Sequence, residues 1–175
     1  MKRHVFVSVA AALLVGSVQL KAQEPVVGVA DPEALFHSKN PALEKNLRAA
    51  YHIQKNLLEC REWDKADQWL TERYIQHNPN AKSGRDGVVY YFTQVLKVQP
   101  KPCPEKMTGE IVAVVADGPY VVVVTPRHVK DAKDPSKSYS TTWFDMWRFV
   151  DGKADEHWDP AQLSPPPASA PPAAK

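Results

Sequence analysis

TTWFDMWRFVDGKADEHWD, residues 141–159, is the stretch that decides the fold. Two runs with strand-like alternation flank Asp151-Gly152, the strongest short-range hairpin signal available to a sequence. Asp145 sits two residues from Trp143 on one side and two from Trp147 on the other. Residues two apart on a strand share a face, so a carboxylate stands between two indoles. A two-residue turn at Asp151-Gly152 pairs Val150 with Lys153, Arg148 with Asp155, Trp147 with Glu156 and Asp145 with Trp158. This register predicts one face carrying Trp143, Asp145, Trp147, Glu156 and Trp158, and the opposite face carrying His157. The Arg148–Asp155 cross-strand ion pair supports it. A slip of one residue would exchange Glu156 and Trp158 for His157 and Asp159.

Outward from the hairpin, valine-rich strands are expected at 108–116 and 120–125, separated by Asp117-Gly118-Pro119. A polar loop is expected over 127–137. Upstream, Leu43, Leu47, Ala50, Tyr51, Gln54, Leu57 and Leu58 recur at helical spacing from Pro41 to about Cys60. A short helix fits Asp64 to Leu70 and a third runs from Asp86 to Leu96. A brief extended segment precedes Pro79. Helices first and an antiparallel meander afterwards is the α+β order, with helices on one face of a curved sheet.

The ends lie outside this domain. Residues 1–22 read as a signal peptide: a basic start, an apolar run from Val5 to Val18, then small residues to Ala22. An uncleaved anchor is the alternative, although the run is short for a membrane span. Residues 23–31 form an N-terminal extension, 32–160 the domain, and 161–175 a disordered tail dense in proline and alanine. Export places the chain in the periplasm or medium, with no stable membrane insertion. Cys60 and Cys103, the only cysteines, are then expected to pair, the alternative being two free thiols. The net charge of +2 and the interrupted basic run at 127–137 exclude a coherent nucleic-acid surface.

The succession of helices, YIQHNPNAKSGRDGV (residues 74–88), a meander and the closing FDMWR, DGK and EHWD blocks resembles the SnoaL-like branch of the nuclear transport factor 2-like superfamily. The resemblance covers residues 43–160. It implies a cone-like fold in which a strongly bent antiparallel sheet wraps helices around a pocket. It further implies homodimers joined through the outer sheet face. An aspartate on the corresponding strand is the acid/base of SnoaL-type cyclases, which points to Asp145. Desolvation by the tryptophans, with repulsion from Glu156, is expected to raise its pKa. The histidine of the QHNP element, His77, usually stands at the pocket mouth in this branch, with Asn78 beside it. His77 also shares strand parity with Ile75, which predicts that it points inward. Trp143, Trp147, Glu156 and Trp158 complete the expected lining. Many relatives carry a histidine late in the strand that here reads YVVVVTP (residues 120–126), where this chain has none. No metal-binding motif, phosphate loop or nucleophile elbow is present, so no cofactor is expected. Two functions remain open: a cofactor-free acid/base enzyme acting on a small carbonyl compound, or a non-catalytic protein binding a small apolar or aromatic ligand.

Overall fold

A computed structural model describes residues 24–163. The proposed signal peptide and most of the Pro/Ala-rich tail lie outside them. Asn40 opens the first helix, α1 (Pro41–His52), by accepting the Ala42 N–H on its side chain, with Pro41 at the first helical position. Its apolar stripe buries Leu47, Ala50 and Tyr51. The helix then widens into a π-helical segment, Ile53–Glu59, which ends at Cys60. The short helix expected next is a 3-10 helix, Trp63–Gln68. Helix α2 (Arg85–Tyr90) likewise passes into a π segment, Tyr91–Val95.

The sheet has five strands in the order β1 (Leu70–Gln76), β5 (Lys153–Trp158), β4 (Ser138–Val150), β3 (Tyr120–Lys130), β2 (Ala113–Asp117). Helices packed against a curved sheet is the α+β architecture read from the sequence. The sheet is mixed, however: β1 lies parallel to β5, and only the remaining pairs are antiparallel. β1 reaches its place beside β5 after the helices rather than through a hairpin, so nothing forces it to run antiparallel.

Strand β3 continues through Pro126 to Lys130, across part of the segment expected to be loop. β2 begins only at Ala113, opposite Val124, so beyond that point one side of β3 has no ladder. A proline there removes no hydrogen bond. Thr125 to Lys130 pair instead with Ser138 to Trp143, lengthening the wall around the site.

The hairpin turn is as read: Asp151 and Gly152 both have positive φ, 52° and 79°, and Val150 pairs with Lys153. The register beyond it is not. Phe149 pairs with Ala154, but Arg148 pairs with Glu156, Trp147 with His157 and Met146 with Trp158. Asp155 is an extra residue, a β-bulge. On the other side β1 takes five steps, Leu70 to Ile75, while β5 takes two, Ala154 to Glu156. Asp155 fills this irregularity. Its carboxylate accepts from the Thr71 hydroxyl at 2.8 Å, and the same hydroxyl oxygen accepts the Tyr74 N–H at 3.1 Å. Arg148 and Arg73 pair with its other oxygen. The Arg148–Asp155 ion pair expected from the sequence therefore exists, but it spans a bulge and does not enforce the unbulged register.

Cys60 and Cys103 form a disulfide. It ties the end of the first π segment to the proline-rich connection before β2. Among the described residues no helix is long and apolar enough to cross a membrane.

Burial pushes the Asp155 carboxyl up, but the Thr71 hydroxyl and the Arg148 and Arg73 guanidiniums outweigh it and hold the group below the usual carboxylate range. The unfolded chain therefore binds this proton first as pH falls. The stabilisation is full above about pH 4 and is lost as pH drops through the folded-state value. Replacing Asp155 with Asn is expected to cost about 2 kcal/mol at neutral pH. Thermal denaturation should show the gap to wild type narrowing from pH 7 to pH 3. A constant gap would mean that the Asp155 charge does not hold the bulge.

Candidate functional site

The concave face of the sheet and the two helices enclose a cavity of about 850 Å³. Trp143, Asp145 and Trp147 reach it from β4, Thr125 and Arg127 from β3, and Tyr74 and Gln76 from β1. Because of the bulge, β5 and the residue after it contribute His157 and Asp159. The helices supply Ile53, Leu57, Leu58, Phe92 and Leu96, and Trp63 joins them from the 3-10 turn. The result is a polar wall on the sheet and an apolar one opposite.

Four of the residues expected to line the site do so: Trp143, Asp145, Trp147 and Asn78. Glu156, Trp158 and His77 do not. Glu156 and Trp158 stand on the outer face, placed there by the extra residue at Asp155. Gln76 and Asn78 turn inward, so His77 between them turns outward. Ile75, the residue used to set that parity, also belongs to the outer face, while Tyr74 is the buried one. His77 Nε2 donates to the Glu156 carboxylate at 2.9 Å and stacks on Trp158 with ring centroids 4.9 Å apart. Glu156 also receives the Arg148 Nε–H at 2.9 Å. His77 and Arg148 together hold its carboxyl below the usual range. Glu156, the like-charge neighbour expected for Asp145, is thus absent from the cavity, and the imidazole of His157 and the carboxylate of Asp159 take its place.

The proton on that imidazole can be assigned from its neighbours. The backbone N–H of Asn78 donates to Gln76 Oε1 at 3.0 Å, which identifies that atom as the acceptor oxygen. His157 Nδ1 lies 2.8 Å from the same oxygen, so Nδ1 carries a hydrogen. His157 Nε2 then faces Asp145 Oδ1 at 3.1 Å. A lone pair cannot face a carboxylate oxygen at that distance without a proton between them, so the pair holds one proton. Trp143 Nε1 donates to the same Oδ1 at 3.2 Å. Asp145 Oδ2 is left as the atom open to a ligand. His157 is 6% exposed, and it lies between the rings of Tyr74 and Trp147.

Around this dyad the remaining polar groups are fixed in position. Asn78 Nδ2 donates to Asp159 Oδ2 at 2.7 Å. Trp147 Nε1 donates to the buried Tyr74 hydroxyl at 3.1 Å, and burial pushes that phenol far up. The Arg127 guanidinium stacks over Trp143, 4.7 Å from the ring centroid. Asp145, His157 and Asp159 present ligand atoms within 4.8 Å of one another, a set able to close around a divalent cation.

A curved α+β sheet closing a small-molecule cavity against helices defines the nuclear transport factor 2-like class. A profile of the SnoaL-like domain matches residues 53–157, more than half of the chain. The chain belongs to the SnoaL-like family. Similar solved structures include a candidate polyketide cyclase from Acidithiobacillus ferrooxidans, 15% identical, covering 70% of this chain and 89% of its own, with a TM-score of 0.50. A candidate SnoaL-like polyketide cyclase from Jannaschia sp. CCS1 is 13% identical over 71% of this chain and 91% of its own, with a TM-score of 0.51. A candidate polyketide cyclase from Bacillus cereus is 18% identical over 80% and 87%, with a TM-score of 0.50. Identities this low establish the shared fold. No curated protein matches the sequence.

The two histidines of this region should separate cleanly. With 8-anilinonaphthalene-1-sulfonate as a cavity probe, His157→Gln is expected to change the dissociation constant. His77→Gln should leave it within about two-fold, as for a surface substitution. Fluorescence titration checks this, and equal effects would contradict the assignment of His77 to the outer face.

Proposed function

We propose that this chain is a cofactor-independent acid/base enzyme acting on a small carbonyl compound, with Asp145 as the acid/base. The observation that carries the reading is the Asp145–His157 dyad in the cavity, with Asp145 Oδ2 free of any hydrogen bond among the described residues. In the ion-paired form, Oδ2 takes a proton from the carbon next to the carbonyl. Asp145 becomes the neutral acid, and the substrate becomes an enolate beside the charged imidazole of His157. That charge, on a buried imidazole, offsets the developing oxyanion. Return of the proton at another position completes an isomerisation. Attack of the enolate on a second carbonyl, with the proton of Asp145 passing to the new alkoxide, gives an aldol addition, and departure of the β-hydroxyl as water, protonated by Asp145, gives a dehydration. Asn78 fixes Asp159 and lines the same wall, a ligand-positioning role. Trp143 and Trp147 supply flat apolar surface for the substrate.

Asp145→Asn retains the shape of the side chain and removes the base. Turnover of a carbonyl substrate is expected to fall at least ~100-fold while ligand affinity persists. Chelators are expected to leave wild-type turnover unchanged. Undiminished turnover in the variant would overturn the acid/base role of Asp145, whereas ligand binding with no turnover in wild type would leave the alternative, a binding protein that uses the same cavity. Turnover lost to chelator and restored by a divalent cation would instead assign Asp145, His157 and Asp159 to a metal.

The reading also includes export and self-association. The disulfide supports an oxidising compartment, the periplasm or the medium. The outer sheet face carries exposed Val115, Tyr120 and Phe144, which supports a homodimer through that face. Mass spectrometry of the exported chain is expected to show a mature N-terminus at Gln23, and light scattering twice the chain mass. Monomer at micromolar concentration would count against the dimer.

A further inference from the structure

The extension of β3 through Pro126 brings a permanent cation to the cavity. Arg127 is the one lysine or arginine among the described residues that line it. Neither acid of the cavity claims that charge. Asp145 is served by His157 and Trp143, and Asp159 by the Asn78 side chain and the Ala161 N–H. Among the described residues Arg127 has no hydrogen bond or ion pair, and its guanidinium lies over the Trp143 ring. A contact with the π face steadies the group and uses none of its N–H donors. The residue is exposed, so those donors are accessible. The sheet register sets its place relative to the dyad. Arg127 pairs with Thr141, but its guanidinium reaches back to Trp143, whose partner is Thr125. Asp145 pairs with Val123 on the same face. The cation thus stands over the indole that donates to Asp145, two strand residues or roughly 7 Å from it.

We propose that Arg127 is a specificity-determining residue that binds a carboxylate of the ligand, so that the substrate class is an oxo acid with its carboxylate about one aryl ring from the reacting carbonyl. The proposal rests on the functional reading above and names the substrate class for the same cavity. A guanidinium presents a planar fork that matches a carboxylate through two parallel hydrogen bonds. One cation neutralises one charge, and a phosphate dianion would keep a net negative charge near Asp145 and Asp159. Without Arg127 those two carboxylates would repel any anionic ligand. The ligand is thereby held at two ends, by its carboxylate at Arg127 and by its reacting carbonyl at Asp145.

The test uses the full chain and two probes of one shape, 4-acetylbenzoate and 4-acetylbenzamide, with affinities from calorimetry at neutral pH. At low salt the acid is expected to bind wild type about ten-fold more tightly than the amide. Arg127→Met keeps an apolar stem over Trp143 and removes the charge, and it should bring the two probes within about two-fold. Lys130→Met removes an exposed cation of the same strand that does not line the cavity, and it should retain the preference. Asp145→Asn should retain it as well. In wild type, raising the salt from about 0.01 M to about 1 M should erode the preference, which reads the charge contact without any variant. An acid preference that survives Arg127→Met overturns the proposal, and would assign the carboxylate to the His157 imidazole. Loss of the preference in Lys130→Met or Asp145→Asn, indifference to salt, equal affinity of the probes for wild type, or binding of neither also overturns it. Turnover is not read, so a failed acid/base role and a failed anion subsite give different results.

Discussion

The carboxylate of Asp155 is the contact on which the site depends. It is almost fully buried, 6% exposed, and it ties three strands together: Thr71 of β1, Arg148 of β4 and its own β5. A buried charge is tolerated only when its oxygens are occupied, and here a hydroxyl and two guanidiniums occupy them. Those partners meet the carboxylate where the chain bulges. The bulge then advances every later residue of β5 by one position, and His157 and Asp159 enter the cavity in place of Glu156 and Trp158.

Much of this was legible before any coordinates. Asp151-Gly152 specified the turn, and the 143–145–147 alternation placed the carboxylate between two indoles on the inner face. The cysteine pair followed from number and compartment. What failed was the step from turn to register. Nothing local distinguishes Asp155 as the inserted residue, since Arg148 can reach an acid at either 155 or 156, and in the structure it reaches both. The deciding partner is Thr71, 84 positions away in a strand that pairs in parallel. Long-range parallel pairing leaves no signature in neighbouring residues. Strand parity with Ile75 reads His77 as inward, but Tyr74 and Gln76 are the residues that face the cavity. The strand expected to stop at Thr125 runs on through Pro126, because there one side of β3 has no ladder.

The two faces of the sheet sort the acids by partner. Asp155 and Glu156 face arginines and His77, which keep them charged and structural. Asp145 faces one imidazole and one indole N–H, with an oxygen left toward the cavity. The sequence offers several carboxylates within fifteen residues of hairpin, and the fold brings Asp145 and Asp159 to the cavity. The histidine of β3, His128, pairs with the exposed Glu110, and the imidazole that lines the cavity comes from β5.

A bulge is a choice of pairing made by one residue. With Asp155 unpaired, the segment from Glu156 to Asp159 presents one imidazole and one carboxylate to the interior. With Asp155 paired opposite Arg148, the same four residues would present a carboxylate and an indole. One short reading frame thus contains two different pockets, separated by whether a single residue joins the ladder. Divergence of reaction type within such a fold can therefore proceed by a change of strand register, with every side chain needed for the second site already present in the gene.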